Sequence, residues 1–437
     1  MRLRGSFGRL GLTSAFMASM LLVASGLTGC GDDSGGEGGG GGSSGSGSIQ
    51  GRLCIDRVTP AGIVPPAGVK VGFRVLSEYG EPLRPLVPED VVVYNDEKGT
   101  PFGSGSEGDA VSNVAPIDDV ELYSVLALDF SSSIVNNGVV DDMIDGAIAY
   151  VDAVVTKPEA KFKHSVAIVV FGAPDETGIL LEFTKDDATL KRELDDLRSS
   201  PSLGSTDLYG AYLGSLGYLL EQGGEAGVIE RFLVLLTDGT HEAGNAAALR
   251  EAALTVKRGA PATIYTIGVQ GNYDACGLEE LAGRGASTCG SPLGGCREGL
   301  LCNANSPPPP SCPQFISQVD PAALEGAFQS IAERAAGISR SNYEIAVCTP
   351  VAIGSSSLTL EVTVDRARDT EVVPYSARNL TGAVQSCDPQ DVLDAEPLPG
   401  TGGGGGGGGS ATTTTSSGAG GAGGAGGAGG AGGAGGN

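Results

Sequence analysis

The sequence predicts an α/β protein. A doubly wound, mainly parallel sheet is expected over residues 121–341, with a β-rich unit built from its two flanks, 49–120 and 342–390, and disordered Gly-rich ends. Three observations carry this. Between Leu122 and Ser339 short apolar runs alternate with longer segments of helical period, the pattern of strands covered on both faces by crossover helices. On either side, runs with a period of two stand between turn-forming stretches and read as half-buried strands. Finally, 32 of the 73 glycines fall in residues 31–48 and 400–437, segments with too few apolar side chains to pack a core.

In chain order, the first flank has strand-like runs at 69–76 and 91–94, with Pro60, Pro65, Pro66, Pro82, Pro85 and Pro88 around them. Proline cannot donate to a strand ladder, so these positions are turns or edges. Residues 123–130 then form a continuous apolar strand. Residues 139–155 follow with Ile144, Ile148, Val151 and Val155 at helical spacing. Strands are expected at 165–171 and 178–183, helices at 186–198 and 207–221, the most apolar strand at 231–237, a helix at 245–257 and a strand at 263–269. Residues 314–319 read as an edge strand and 322–336 as the last helix. In the second flank, 343–348 and 357–364 alternate with period two, so this segment is expected to pack with the first flank.

The ends carry different information. Arg2, Arg4 and Arg9 precede a mostly apolar run over 12–27 and small residues before Cys30, the layout of a secretory signal peptide over 1–29. The run is short for a membrane span and gives way at once to polar, Gly-rich sequence. Leu27-Thr28-Gly29-Cys30 resembles the lipobox of bacterial lipoproteins, which implies cleavage before Cys30, lipidation of its thiol and residence in the cell envelope. Gly31, where an Asp would imply inner-membrane retention, points by the same resemblance to the outer membrane. Residues 30–48 read as a tether reaching roughly 20–25 Å, and 391–437 as a low-complexity tail. The net charge of −25 becomes −28 when residues 1–29, which hold three Arg and no acid, are removed. Such a chain is repelled by nucleic acid and anionic headgroups, so no nucleic-acid partner is expected and the membrane is reached through the lipid alone.

Eight further cysteines remain: Cys54, Cys276, Cys289, Cys296, Cys302, Cys312, Cys348 and Cys387. In an exported chain an even number reads as disulfides. Five of them crowd into 276–312, which has no CxxC pair and no nearby His, so a zinc site is disfavoured. Because five is odd, one of these pairs outside the cluster or stays free. Cys54 bonded to Cys348 or Cys387 would lock the two flanks together.

In doubly wound sheets ligands bind at the carboxyl ends of the strands. There the sequence places Asp129-Phe130-Ser131-Ser132-Ser133, Gly204-Ser205-Thr206 and Asp238-Gly239. In isolation, Ser131, Ser133 and Thr206 read equally as helix caps. Together, the hydroxyls and carboxylates form a set of hard oxygen donors suited to Mg²⁺ or Mn²⁺. The conjunction DxSxS, Thr and strand-end TDG resembles the von Willebrand factor type A (VWA) domain with its metal-ion-dependent adhesion site. The resemblance spans roughly residues 120–338 and fills every motif position with Asp129, Ser131, Ser133, Thr206 and Asp238. It implies a Rossmann-like fold. Ser131, Ser133 and Thr206 would be direct ligands, Asp129 and Asp238 would complete the shell, and a partner protein would supply an Asp or Glu. The nearby acids Asp175, Glu176, Asp207 and Glu242 read as exposed loop or helix-start residues. The 276–312 insertion departs from the family's short link and reads either as a disulfide-stapled loop or as an extension of the binding face.

The expected function is therefore metal-dependent binding of another protein at the envelope. The alternative is an assembly component in which the metal rigidifies the domain. An enzyme is not expected: only His164 and His241 are available as bases, and no G-x-S-x-G elbow surrounds Ser132.

Overall fold

A computed structural model of the chain describes residues 53–397 other than 78–79, 96–99, 102–111, 157–162, 175, 224–226, 271–272, 286–313, 350, 352–353, 382 and 384–385. The signal-peptide, lipidation, tether and tail readings lie outside the described residues, as do Asp175, Cys289, Cys296, Cys302 and Cys312. Among the described residues no helix is long and apolar enough to cross a membrane.

The first flank supplies β1 (Leu53–Arg57), β2 (Gly62–Val64), β3 (Gly68–Ser77), β4 (Val91–Asn95), β5 (Thr100–Pro101) and β6 (Ser112–Pro116). The centre runs β7 (Val120–Asp129), α1 (Ser132–Asn136), α2 (Val140–Val151), β8 (Lys163–Phe171), β9 (Gly178–Thr184), α3 (Asp187–Leu197), α4 (Leu208–Leu220) and β10 (Val228–Thr237). It continues through α5 (Ala246–Gly259), β11 (Thr263–Val269), α6 (Ala275–Leu281), β12 (Gly283–Arg284), β13 (Phe315–Val319) and α7 (Leu324–Arg340). The second flank adds β14 (Asn342–Cys348), β15 (Ser355–Val364), β16 (Ala367–Ser376) and α8 (Pro389–Asp394).

The central sheet has the order β12-β11-β10-β7-β8-β9, with β13 also on β11. Pairings β7–β8, β7–β10, β10–β11 and β11–β13 are parallel, while β9 and β12 are antiparallel additions. Alternate residues of each parallel strand face opposite helical layers. Leu126, Leu128, Ile168, Val234 and Ile267 pack with Met143, Ile144 and Tyr150 of α2, Leu190 of α3 and Phe328 and Ile331 of α7. Val125, Ala127, Val169, Leu233 and Ile264 pack with Leu208, Tyr212 and Leu216 of α4 and Leu278 and Leu281 of α6. The helices form because their apolar residues recur at three and four, as in Leu190, Leu194 and Leu197 of α3. Asp186 caps α3 by accepting from Ala188 N and Thr189 N.

The flanks make one β-rich unit. β14 pairs antiparallel with β3 from Asn342↔Arg74 to Cys348↔Gly68, and β15 pairs with β4 and β16. Their facing sides close a separate core around Val69, Val71, Phe73, Tyr343, Leu360 and Tyr375. The expectation for Cys54 is corrected: Cys348 is bonded to Cys387, with Cα atoms 5.9 Å apart. The cause is α8, whose Val392 and Leu393 bury against Ala346 and Cys348 and bring Cys387 alongside. Cys54 and Cys276 are also disulfide-bonded, so the partner of Cys54 is neither Cys348 nor Cys387.

A buried ionic cluster joins the β-rich unit to the N-terminal end of the central sheet. Arg74 on β3 pairs with Glu230 on β10 and, at 3.3 Å, with Asp56 on β1. Arg284 on β12 lies 3.4 Å from Asp56, and Asn342 Nδ2 donates to Glu230 Oε1 at 3.1 Å. All five side chains are buried.

Candidate metal centre

The site lies at the opposite, C-terminal edge of the same sheet. β7 ends at Asp129 and β10 at Thr237, and their parallel register pairs Leu128 with Leu236, which sets Asp129 beside Thr237. Asp129 Oδ2 accepts from Thr237 Oγ1 at 2.5 Å and Oδ1 accepts from Ser131 N at 2.7 Å. Ser131 Oγ lies 3.1 Å from Ser133 Oγ, and Ser133 Oγ donates to Asp238 Oδ1 at 2.7 Å. Thus the loop after β7 and the loop after β10 are joined through the side chains the sequence singled out.

Thr206 comes to them on the loop between α3 and α4. Leu203 N donates to Phe130 O at 2.7 Å, Ser132 N to Gly204 O at 2.6 Å, and Asp207 N to Gly172 O at 2.6 Å. From the other side, Glu242 N donates to Thr206 O at 2.8 Å. Two glycines permit this approach: a Cβ on Gly172 would lie 2.3 Å from Leu203 Cβ, and one on Gly239 2.9 Å from Thr206 Oγ1. Asp129, Ser131, Thr206 and Asp238 are buried and Ser133 is exposed, so the five residues form a seat that opens on one side.

The capping alternative can be tested directly. Ser131 is the N-cap of α1 yet makes no side-chain cap hydrogen bond. The cap of α4 is Asp207, which accepts from Gly210 N, so Thr206 is not used as a cap. Glu176 and Glu242 stand exposed in loops.

The electrostatics ask for a cation. Burial pushes the Asp129 carboxyl up to about 7 against the hydrogen bonds from Thr237 and Ser131 that hold it down, and the charge of Asp238 adds to the rise. Asp238 is raised chiefly by its own burial, opposed by the Ser133 hydrogen bond, with the charge of Glu242 adding. None of the groups acting on either acid is a cationic side chain. Among the described residues no group of three or more His, Cys, Asp or Glu could hold a metal, so an ion here would depend on hydroxyl oxygens. Three hydroxyls and two acids are a fitting donor set for a small, hard divalent ion.

Thr237 was not singled out in the sequence, although it ties Asp129 to the next loop: its Oγ1 also accepts from Gly239 N at 3.0 Å. A polar residue closing the most apolar strand was the available signal. His241 lies behind the seat, with Nδ1 accepting from Tyr209 N at 3.4 Å and 3.5 Å from Asp207 Oδ1. His164 is buried in the core, its Nε2 2.6 Å from Ser124 Oγ.

Residues 125–289 match the family model of the von Willebrand factor type A domain. No curated protein matches the chain. Among solved structures it is similar to the von Willebrand factor type A protein from Catenulispora acidiphila, at 12% identity over 79% of this chain and 77% of that one, with a TM-score of 0.37. It is similar to proximal thread matrix protein 1 from the mussel byssus with a zinc-occupied MIDAS motif, at 18% identity, 51% and 50% coverage and a TM-score of 0.37. A third likeness is to manganese-loaded Plasmodium vivax TRAP protein, at 16% identity, 62% and 98% coverage and a TM-score of 0.36. The chain spans about half the length of the mussel structures it matches. The central sheet and its helices have the Rossmann-like α/β fold of the von Willebrand factor type A domain, whose family model matches residues 125–289, and the five residues singled out in the sequence lie at the sheet's C-terminal edge.

Proposed function

We propose that this chain is a lipid-anchored envelope protein that binds another protein through a divalent cation held by Asp129, Ser131, Ser133, Thr206 and Asp238. The cation is Mg²⁺ or Mn²⁺, and the partner completes its shell with an Asp or Glu. The observation that carries the reading is the seat itself: hydroxyls left free of helix capping, beside two buried acids with no basic side chain acting on them. A bound ion supplies the electrophile that draws a carboxylate. The protein's part is to fix the donors, with Asp129 held by Thr237 and the Ser131 amide, and Asp238 by Ser133. Anchoring at the outer membrane through Cys30 rests on the lipobox resemblance.

A purely structural role for the ion is the weaker reading. The loops are already tied by backbone bonds from Phe130, Ser132, Leu203 and Asp207, so they do not need a metal to stay together. Catalysis is not part of the proposal: among the described residues His164 is hydrogen-bonded to Ser124 in the core, away from the seat.

Cross-linking of intact cells with and without EDTA tests the function. A partner captured by the wild type should be lost with EDTA and with Asp129→Ala, while the variant keeps its fold by circular dichroism. Capture that survives both treatments removes the metal from the mechanism.

A further inference from the structure

Among the described residues, the loops that frame the metal seat carry exposed acids and no available base. Glu242 follows Asp238 in the loop after β10, its amide bonded to Thr206 O at 2.8 Å and its charge felt by Asp238. Glu176 closes the turn after β8, its amide bonded to Ala173 O at 3.0 Å. That turn lies against the Thr206 loop, since Ala173 N donates to Leu203 O at 2.8 Å and a Cβ on Gly204 would be 3.5 Å from Ala173 Cβ. The arginine of this rim, Arg198, is taken up by Asp141, Asp145 and Asp195. His241 is buried against Asp207 and Tyr209.

A second observation concerns what the face lacks. Among the described residues the exposed large hydrophobics are Val87 and Val372, both in the β-rich unit. Among the described residues, the metal face therefore offers a partner no exposed apolar anchor, and what surrounds the seat there is acidic.

Resting on the metal-centred reading, we infer that the partner presents its metal-binding Asp or Glu within a surface rich in Lys and Arg. A bare carboxylate approaching the ion meets Glu176 and Glu242 as like charges, which opposes docking. Basic side chains on either side of the carboxylate turn the same two acids into attractive contacts and steer encounter from a distance. The ion selects the carboxylate, and the rim selects its surroundings.

The test uses the full chain and four immobilised peptides of equal length: a central Asp flanked by Lys and Arg, by Ser and Gly, or by Glu, and a Lys- and Arg-flanked peptide with Asn at the centre. In Mg²⁺, retention on the basic-flanked Asp peptide should exceed that on the Ser- and Gly-flanked one by roughly tenfold. It should fall as salt rises and disappear on the Asn-centred peptide and in EDTA. The double variant Glu176→Gln, Glu242→Gln should bring the preference close to parity. Mg²⁺-dependent retention that ignores the flanks overturns the inference and leaves the metal reading standing. A preference unchanged in the double variant also overturns it, because the total charge of the chain, not the rim, would then be the cause. If no Asp peptide is retained in a Mg²⁺-dependent way, the metal-centred reading falls and takes this inference with it.

Discussion

The two ends of β10 treat buried acids in opposite ways. At its start, Glu230 meets Arg74 and Asn342, and the neighbouring Asp56 meets Arg74 and Arg284. Just past its end, Asp238 and Asp129 meet hydroxyls, amides and each other. Removing a carboxylate from water is unfavourable unless a counter-charge accompanies it. The lower end has that charge built into the chain and is a permanent junction between two parts of the fold. The upper end has no such counter-charge, and on this the proposed ion site rests. A pair of buried acids is thus informative only together with what faces it.

The comparison breaks most visibly at the lower end. Arg74→Met should strand Glu230 and Asp56 and cost about 3–5 kcal/mol, seen as a lower urea midpoint, with cation binding at the other end unchanged. A loss below about 1 kcal/mol would mean that water already enters the junction.

His164 illustrates a third solution, neutrality. Its ring sits against Ser124 and Tyr150 in the core, and burial holds its pKa down at about 3, against an ordinary value of 6.5. The folded pKa lies below the unfolded one, so the unfolded chain takes the proton first. The stability contribution is complete above pH 6.5 and is lost as pH falls towards 3, by about 4–5 kcal/mol. Urea unfolding across this range should show a steeper decline for the wild type than for His164→Gln. Parallel curves would put the ring in contact with water.

At the upper end, Asp129→Asn should lower cation affinity on the order of 100-fold without lowering the Tm of metal-free protein, because it removes a buried charge that no cationic side chain offsets. A fall in Tm would make Asp129 a structural residue like Glu230. The smallest effect is expected at Thr237. Thr237→Val keeps shape but withdraws the hydroxyl from Asp129 and should weaken cation binding roughly tenfold, with Thr237→Ser restoring it. Equal affinity in both variants would remove Thr237 from the site.

The central sheet was legible because its strands are buried on both faces and read as continuous apolar runs; β11 occupies the expected 263–269. The half-exposed β9 and the short β13 were also legible, at 178–183 and 314–319, but some other elements were not. α1 has five residues and β12 two, too few for a period to show. β16 places Arg368 and Glu371 among its apolar residues and holds Pro374, as an edge strand can. The five seat residues could be read from the order of their types along the chain. Their clamp could not: Thr237 reaches Asp129 only through the register of β7 on β10. Nor could the pairing of Arg74 with Glu230, 156 positions apart, or that of Cys348 with Cys387, which depends on where α8 docks.

The most direct measurement is a titration of Mn²⁺ into the full chain, followed by electron paramagnetic resonance of the free ion, for wild type, Asp129→Asn and Arg74→Met. One Mn²⁺ per chain, displaced by Mg²⁺, lost in Asp129→Asn and kept in folded Arg74→Met, is the predicted result. Binding by Asp129→Asn equal to wild type, or no binding by the wild type at millimolar Mn²⁺, would contradict it.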